Sequence, residues 1–348
     1  MQAAQDKHAL QAAYAVAGEE IPIIDLGPHL NGESGASEEA AREMCYALEQ
    51  IGFFFIINHG VPASMRDRVM AANASFYELP LEKKMALKIN HAGVGYIPNR
   101  GEFGKHSRYY TGQKKPDVSE AFLLQRDWAP CPAQNRNQWP AGEPEFQRTI
   151  QEYFEAATAL SQRMLPLYAR ALDLAPDFFL DKFPTDHALN VLRISHMPPD
   201  ALADNEFNIC PHSDGSFATL LATSDQPGLE ILSQTGRWIT APLIPDAFVV
   251  NSGDLLTRWS NGRFLSTPHR VRNVSGTHRY STSFFFQPTP ETLIDCLPTC
   301  YGPDNPPKKP PITCGAYMKK FLEASFALGD TMYNEQGELM PASKTPAP

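Results

Sequence analysis

Two histidines and one aspartate have the types and spacing of a metal site. His212 and Asp214 are two positions apart at the start of a predicted strand, so their side chains leave the same face. His269 lies in the later segment 266–272 and is placed to pair with them across a β-structure. Two neutral imidazoles and one carboxylate on one side of an ion leave its other positions open. Each residue taken alone is more typical of an ordinary structural role.

A second pair of polar residues follows His269. Arg279 and Ser281 are again two positions apart, so one strand face presents both. A guanidinium binds a carboxylate through two parallel hydrogen bonds, and a serine hydroxyl donates one more. The aromatic run 284–286 close behind Arg279 predicts a buried strand rather than a solvated one. The two groups together predict an Fe(II) ion beside a bound dicarboxylate, since a facial set of two histidines and one carboxylate is typical of non-haem Fe(II) oxygenases.

The elements that position these residues change character along the chain. In the first half, residues 53–57 form a continuous apolar run typical of a strand buried on both faces, and a helix with Ser37 as its N-cap is predicted before it. A long amphipathic helix is predicted over 146–168, with a kink at Pro166. In the second half, Asn261-Gly262 predicts a hairpin and short β-rich runs predict a jelly-roll or barrel. These runs are 189–197, 217–223, 229–232, 247–250 and 280–286.

Composition excludes several classes of function. The chain has 348 residues, 39 acidic and 30 basic side chains, and a net charge of −9, which does not favour nucleic acid as a partner. No segment approaches the roughly 20 apolar residues that a membrane-spanning helix needs, and the alanine-rich start has no export signal. Six cysteines without regular spacing fit reduced thiols. We therefore expect a soluble, cytoplasmic protein with no obligate protein partner.

Motifs outside the metal site carry a resemblance to a known family. From about residue 21 to 327, the sequence resembles the isopenicillin N synthase-like branch of the Fe(II)/2-oxoglutarate-dependent dioxygenases. The motifs that carry this resemblance are Ile21-Pro-Ile-Ile-Asp-Leu26, Gly52-Phe-Phe-Phe-Ile-Ile-Asn-His-Gly-Val-Pro62, Phe76-Tyr-Glu-Leu-Pro80, Gly228-Leu-Glu-Ile231, Val250-Asn-Ser-Gly-Asp-Leu-Leu256 and Ser266-Thr-Pro-His269.

The resemblance implies a fold, a set of ligands and a reaction. The fold is mainly β with α, a double-stranded β-helix (jelly-roll) core with N-terminal and central helices packed around it. Residues 21–140 would form the N-terminal region, 141–327 the long helix and catalytic core, and 328–348 a polar tail. His212, Asp214 and His269 match the iron ligands, while Arg279 and Ser281 match the pair that binds the distal carboxylate of 2-oxoglutarate. The implied reaction uses Fe(II), 2-oxoglutarate and O₂ to oxidise, most often to hydroxylate, a C–H bond of a small organic molecule, and releases succinate and CO₂.

The sequence departs from the family pattern near the co-substrate and the metal. Met197 stands where many members have a tyrosine near 2-oxoglutarate, so one phenol contact is lost. Gly215-Ser216 replaces a commoner aromatic-glycine pair after the aspartate, which leaves room beside the metal. Two alternatives stay open: an Fe(II) oxidase of the same branch that does not use 2-oxoglutarate, and a ligand-binding jelly-roll without catalysis.

The loop-rich segment 93–139 bears on the substrate. Residues 91–115 contain five basic side chains against one acid, with aromatic residues between them. Basic groups and aromatic faces suit a ring-bearing substrate with an anionic group, bound by an arginine and stacked on a tyrosine. This pattern selects Arg100, Arg108 and Tyr109 as candidate substrate residues. A solvated loop whose charges serve solubility explains the pattern equally well.

Overall fold

The protein is built on two facing β-sheets, with helices packed against the outer face of the larger one. A computed structural model describes residues 5–14, 21–90, 93–102, 109, 115–126 and 137–325. The strands are β1 (Ile23–Asp25), β2 (Phe53–Ile57), β3 (Gly95–Ile97), β4 (Glu120–Gln125), β5 (Val191–Met197), β6 (Ile209–His212), β7 (Ala218–Thr223), β8 (Leu229–Leu232), β9 (Trp238–Thr240), β10 (Phe248–Ser252), β11 (His269–Val271), β12 (Arg279–Phe286), β13 (Leu293–Ile294) and β14 (Ile312–Thr313). The helices are α1 (Lys7–Tyr14), α2 (Gly27–Leu30), α3 (Ala36–Gln50), α4 (Ala63–Glu78), α5 (Leu81–Met85), α6 (Pro144–Ala171), α7 (Asp254–Trp259) and α8 (Cys314–Ser325).

The larger sheet has eight strands and the smaller facing sheet has four. Strand order in the larger sheet is β1-β2-β10-β7-β12-β5-β4-β3, and every neighbouring pair except the parallel β1 and β2 is antiparallel. The smaller sheet has the order β6-β11-β8-β9. From β5 to β12 the chain passes repeatedly between the two sheets, with only the β8–β9 pair staying in one sheet, which confirms the predicted jelly-roll.

Strand β2 shows how the layers are arranged. Phe54 and Ile56 belong to a large apolar core that also contains the inner faces of α3, α4 and α6. Phe53, Phe55 and Ile57 point the other way, into a smaller core shared with Leu229 and Ile231 of β8. Because successive side chains of a strand alternate between its faces, one continuous apolar run serves both cores. The predicted strand buried on both faces is therefore present with its predicted bounds.

Two local predictions need correction. Ser37 does not cap α3: Gly35 is the N-cap, and the Ser37 hydroxyl lies 2.9 Å from Nδ1 of His29. Asn261-Gly262 does not form a hairpin but ends α7, where the Gly262 N–H donates to the Thr257 carbonyl at 2.7 Å. Both residues have positive φ, which suits this helix-ending turn as well as a hairpin, so the dipeptide alone does not distinguish them.

The long central helix is present near its predicted position. Helix α6 spans Pro144–Ala171 and continues through Pro166. The larger sheet draws strands from both 21–140 and 141–327, while 328–348 lies outside the described residues. The boundary near residue 140 stays a prediction. Within the parts of the chain that the structure describes, no helix has both the length and the apolar character that a bilayer crossing requires.

Candidate active site

The three predicted metal-binding side chains converge at one end of the smaller sheet. His212 is the last residue of β6 and His269 the first of β11, and the antiparallel register places them directly opposite one another. Nε2 of each histidine lies 3.6 Å from Oδ1 of Asp214. The three donor atoms lie within 4.8 Å of one another, so they are close enough to share one ion.

A loop, rather than a strand face, positions the aspartate. Asp214 lies beyond the end of β6, which corrects the expectation that His212 and Asp214 begin one strand. The loop is held by the start of α7, because the Asp254 N–H donates to the Asp214 carbonyl at 2.7 Å. At Gly253, a Cβ atom would lie 2.1 Å from the carbonyl oxygen of Ser216, so only glycine allows this close approach.

Hydrogen bonds to backbone carbonyls fix the orientation of both imidazoles. Nδ1 of His212 donates to the Cys210 carbonyl at 2.8 Å, and Nδ1 of His269 donates to the Thr267 carbonyl at 3.1 Å. A carbonyl oxygen only accepts, so the proton must sit on Nδ1. In each ring, Nε2 is therefore the nitrogen that faces Asp214 and is left to bind an ion.

The aspartate is oriented in the same way from its far side. Oδ2 of Asp214 accepts hydrogen bonds from the Thr219 hydroxyl at 2.6 Å and the Asn251 amide at 2.8 Å, which leaves Oδ1 for the histidines. Burial opposes the charge of Asp214, but His269 and the neighbouring donors outweigh it and hold the pKa well below its usual range. Burial, with His212 nearby, lowers the pKa of His269 to about 4. The group thus offers an ionised carboxylate and a neutral imidazole, the states that bind a divalent ion.

Arg279 is a buried cation at the start of β12 in the larger sheet. The residue is only 1% exposed, and Ser281 lies on the same face of β12. Nε donates to the Gln226 carbonyl at 3.1 Å, and Nη1 lies 3.4 Å from the sulfur of Met197 on β5. No carboxylate in the described residues pairs with it. Burial lowers the pKa of Arg279 to about 10, so the guanidinium stays charged at neutral pH.

A cavity of about 780 Å³ between the two sheets joins these groups. Its lining includes His212, Asp214 and His269 from the metal-binding group and Arg279 and Ser281 from β12. The volume is in the range of small-molecule sites in proteins. The arrangement therefore supplies a metal position, a buried cation for an anionic group, and space for a further small molecule.

Comparison with known proteins identifies this architecture. Residues 188–288 match the model of the 2OG-Fe(II) oxygenase superfamily, and residues 21–142 match that of the non-haem dioxygenase in morphine synthesis N-terminal region. The 2-oxoglutarate-Fe(II) type oxidoreductase hxnY of Emericella nidulans is 32% identical, over 94% of this chain and 96% of the relative. The chain belongs to the 2-oxoglutarate–Fe(II) oxygenase family. It is a dioxygenase that depends on Fe(II) and 2-oxoglutarate.

Solved structures of other oxygenases agree with the fold. A full-length Neurospora crassa protein, solved in complex with alpha-KG and thymine, superimposes with a TM-score of 0.80 and 27% identity, over 90% of this chain and all of that one. JOX2 in complex with 2OG, Fe and JA gives a TM-score of 0.73 and 26% identity, over 93% of this chain and 94% of that one. Both neighbours were thus solved with a small organic molecule in addition to the co-substrate.

The three candidate substrate residues of the oxygenase have different positions. Tyr109 lines the cavity. Arg100 is outside the cavity lining, where its half-exposed guanidinium pairs with Glu206 at 3.0 Å. Arg108 lies outside the described residues. The structure therefore brings one of the three to the cavity and gives Arg100 a partner elsewhere.

Sequence reasoning missed a polar group on the cavity wall. Glu102, Asp117 and Arg193 all line the cavity, and all are largely buried. Burial and the charge of Glu102 raise the pKa of Asp117 to about 7. The available signal was Arg193, the one charged residue in the predicted β-rich run 189–197 apart from His196. The two acids carry no such signal, because they flank a loop rich in polar residues.

The space predicted beside Asp214 is occupied by a side chain of helix α8. Phe321 of α8 packs on Gly215, where a Cβ atom would lie 2.7 Å from two ring carbons. Tyr317 and Met318 of the same helix also line the cavity. The glycine that replaces an aromatic residue thus makes space for an aromatic ring of α8, which closes the metal end of the cavity.

Proposed function

We propose that His212, Asp214 and His269 bind Fe(II), and that Arg279 with Ser281 binds the distal carboxylate of 2-oxoglutarate. The observation that carries this proposal is the buried Arg279, which has no acidic partner among the described residues and shares a cavity with the convergent triad. An unpaired buried charge costs several kcal/mol of stability, on the order of 3–5. A dicarboxylate supplies the missing partner, and its other end reaches toward the metal position.

The reaction that we propose is oxidation, most often hydroxylation, of a substrate C–H bond, with 2-oxoglutarate converted to succinate and CO₂. Bound Fe(II) would supply O₂ activation at the open side of the triad. The residues of this chain hold the ligands in fixed orientation, anchor the co-substrate at Arg279 and exclude bulk water through the two sheets and α8. The position of the substrate C–H bond relative to the triad then decides which bond is oxidised.

For the substrate, we propose a small ring-bearing molecule that contacts Tyr109. The cavity volume and the lining position of Tyr109 support this proposal. The relatives named above include one solved with thymine and one with JA. An anionic group on the substrate, bound by Arg100 or Arg108, stays a prediction, as does the cytoplasmic location.

Succinate release tests the proposed function directly. Protein reconstituted with Fe(II) without oxygen is mixed with 2-oxoglutarate, air and a panel of small metabolites, and we expect at least one compound to raise succinate formation. Substrate loss without succinate would instead support an Fe(II) oxidase independent of 2-oxoglutarate. Binding of Fe(II) and of panel compounds with no turnover in any mixture would support a ligand-binding jelly-roll.

Thr219→Val is expected to weaken Fe(II) binding about 10–100-fold, the usual effect of removing a hydrogen bond that orients a metal ligand. The substitution keeps the side-chain shape but deletes the hydroxyl that donates to Oδ2 of Asp214. The measurement is the Fe(II) dissociation constant without oxygen. Thr282→Val is the matched control, because the Thr282 hydroxyl is buried with no hydrogen-bond partner in the described residues. Equal Fe(II) affinities of the two variants would contradict the role of Thr219.

Arg100→Ala and Arg108→Ala test the anionic substrate. If an arginine of this loop binds a substrate carboxylate, at least one variant should lose about tenfold or more in kcat/KM, since a hydrogen bond to a charged group contributes roughly 1.5–3 kcal/mol. The control is the affinity for 2-oxoglutarate, which should not change. Wild-type kcat/KM in both variants on the true substrate would end this hypothesis and leave the iron and co-substrate sites untouched.

A further inference from the structure

The polar group on the cavity wall contains more acid than base. Arg193 of β5 donates to both carboxylate oxygens of Glu102, one of them at 2.7 Å, and its Nε donates to the Ser195 hydroxyl at 3.1 Å. Each nitrogen of the Arg193 guanidinium therefore already donates one hydrogen bond, to Glu102 or to Ser195. Asp117 is the third member of this group: Arg193 lies near enough to favour its charge, but no side chain of the described residues forms an ion pair with it.

Asp117 is buried but only partly satisfied. The residue is 5% exposed, and its Oδ1 accepts the backbone N–H of Cys210 at 3.0 Å. Within the described residues, no donor reaches Oδ2. A carboxylate accepts several hydrogen bonds, so Oδ2 has capacity for a further donor. Since Asp117 lines the cavity, the missing donor has space to come from a bound molecule.

We propose that Asp117 binds the primary substrate and accepts a hydrogen bond from a substrate nitrogen that carries a hydrogen. This inference rests on the proposed function, because it places the substrate in the same cavity as the Fe(II) and 2-oxoglutarate sites. A ring N–H is the matching chemistry, since the cavity is otherwise largely apolar and Tyr109 offers an aromatic face.

The position of Asp117 links the bound nitrogen to the metal. Its hydrogen bond to Cys210 attaches it to β6, the strand that ends at His212. A substrate held by Asp117 therefore lies against the strand that presents a metal ligand. Carbon atoms near the nitrogen are then those presented for oxidation.

Charge argues against a carboxylate at this place. A substrate anion beside Asp117 would meet a second acid, Glu102, whose guanidinium partner is already bound, and like charges in contact oppose binding. The raised pKa of Asp117 has the same origin, since burial and Glu102 both disfavour its negative charge. A donor from the substrate relieves this by stabilising the ionised form.

The test uses pairs of probes that differ only in the N–H. The full-length protein, loaded with Fe(II) and 2-oxoglutarate without oxygen, is titrated with 2-pyridone, thymine and indole and with the N-methylated form of each. We expect at least one N–H probe to bind about tenfold or more tightly than its methylated partner, the usual effect of a hydrogen bond to a charged group. Equal binding within all three pairs would overturn the proposal.

Asp117→Asn distinguishes a hydrogen bond to Asp117 from shape complementarity between the probe and the cavity. Asparagine retains a carbonyl oxygen for the Cys210 N–H but presents an NH₂ group to the cavity, so the preference for the N–H probe should disappear. Asp181→Asn, an exposed residue, is the matched control and should keep the preference. A preference that survives Asp117→Asn would refute the role of Asp117. Fe(II) and 2-oxoglutarate affinities of the same variant are measured separately, so failure of the proposed function is seen independently.

Discussion

Asp214→Ala is expected to abolish turnover and to weaken Fe(II) binding by more than about 100-fold, beyond the loss caused by removing an orienting hydrogen bond. Asp214 is the only anionic side chain in the proposed ligand set, and two neutral imidazoles do not offset the charge of the ion. The measurement is the Fe(II) dissociation constant without oxygen, together with 2-oxoglutarate turnover. The fold should persist, because Asp214 lies in a loop and belongs to neither apolar core.

A second substitution at Asp214 distinguishes loss of Fe(II) binding from loss of folding. Alanine leaves the donors of Thr219 and Asn251 without an acceptor, whereas Asp214→Asn retains an oxygen for them and removes only the charge. Both variants should lose Fe(II), and Asp254→Asn, which alters a carboxylate on the same cavity wall, should retain it. Full turnover by a folded Asp214→Ala protein would exclude the triad as the iron site.

The strands with long apolar or alternating patterns were predictable from sequence. β2 carries five consecutive apolar residues, and it has its predicted bounds because both of its faces lie in a core. β12 alternates Arg279, Ser281 and Ser283 toward the cavity with Phe284 and Phe286 toward the helices. Period-two alternation of this kind is a local signal, so a single sequence is enough to detect it.

Two short strands of the smaller sheet, β6 and β11, were not predictable. β6 and β11 have four and three residues, and no apolar period distinguishes them from loops. Their pairing places His212 opposite His269, yet this pairing is fixed by the jelly-roll topology rather than by local propensity. The residue types indicated that the three ligands belong together. The loop that carries Asp214 became visible only in three dimensions.

Counting charges along the loop did not reveal the acids that line the cavity. Arg100 contributed to the local basic surplus, but in the fold it pairs with Glu206, which is remote in sequence. Conversely, the acids that do line the cavity, Glu102 and Asp117, are brought there by contacts with Arg193 and Cys210. Long-range ion pairs of this kind cannot be read from net charge within a window, because a partner at any sequence distance neutralises a charge.

Arg279→Ala is expected to raise the dissociation constant for 2-oxoglutarate at least about tenfold. Removal of one partner of a buried charge pair commonly costs on the order of 2–5 kcal/mol, and roughly 1.4 kcal/mol corresponds to a factor of ten. Because Arg279 has no acidic partner in the described residues, alanine leaves no protein charge uncompensated, so the variant should fold and retain Fe(II). The measurement is 2-oxoglutarate binding to the Fe(II)-loaded protein without oxygen.

Two further variants distinguish the contribution of the paired guanidinium donors from the contribution of the charge. Arg279→Lys keeps the charge but presents no planar pair of donors, so it should restore only part of the affinity. Met197→Leu removes the sulfur that lies 3.4 Å from Nη1 at nearly constant volume, and its effect should be much smaller. Arg148→Ala, on the exposed face of α6, is the control for loss of an arginine as such. If Arg279→Ala binds 2-oxoglutarate as the wild type does, the buried guanidinium is not the co-substrate anchor. The buried Arg279 guanidinium at the cavity wall would then require a different anionic ligand.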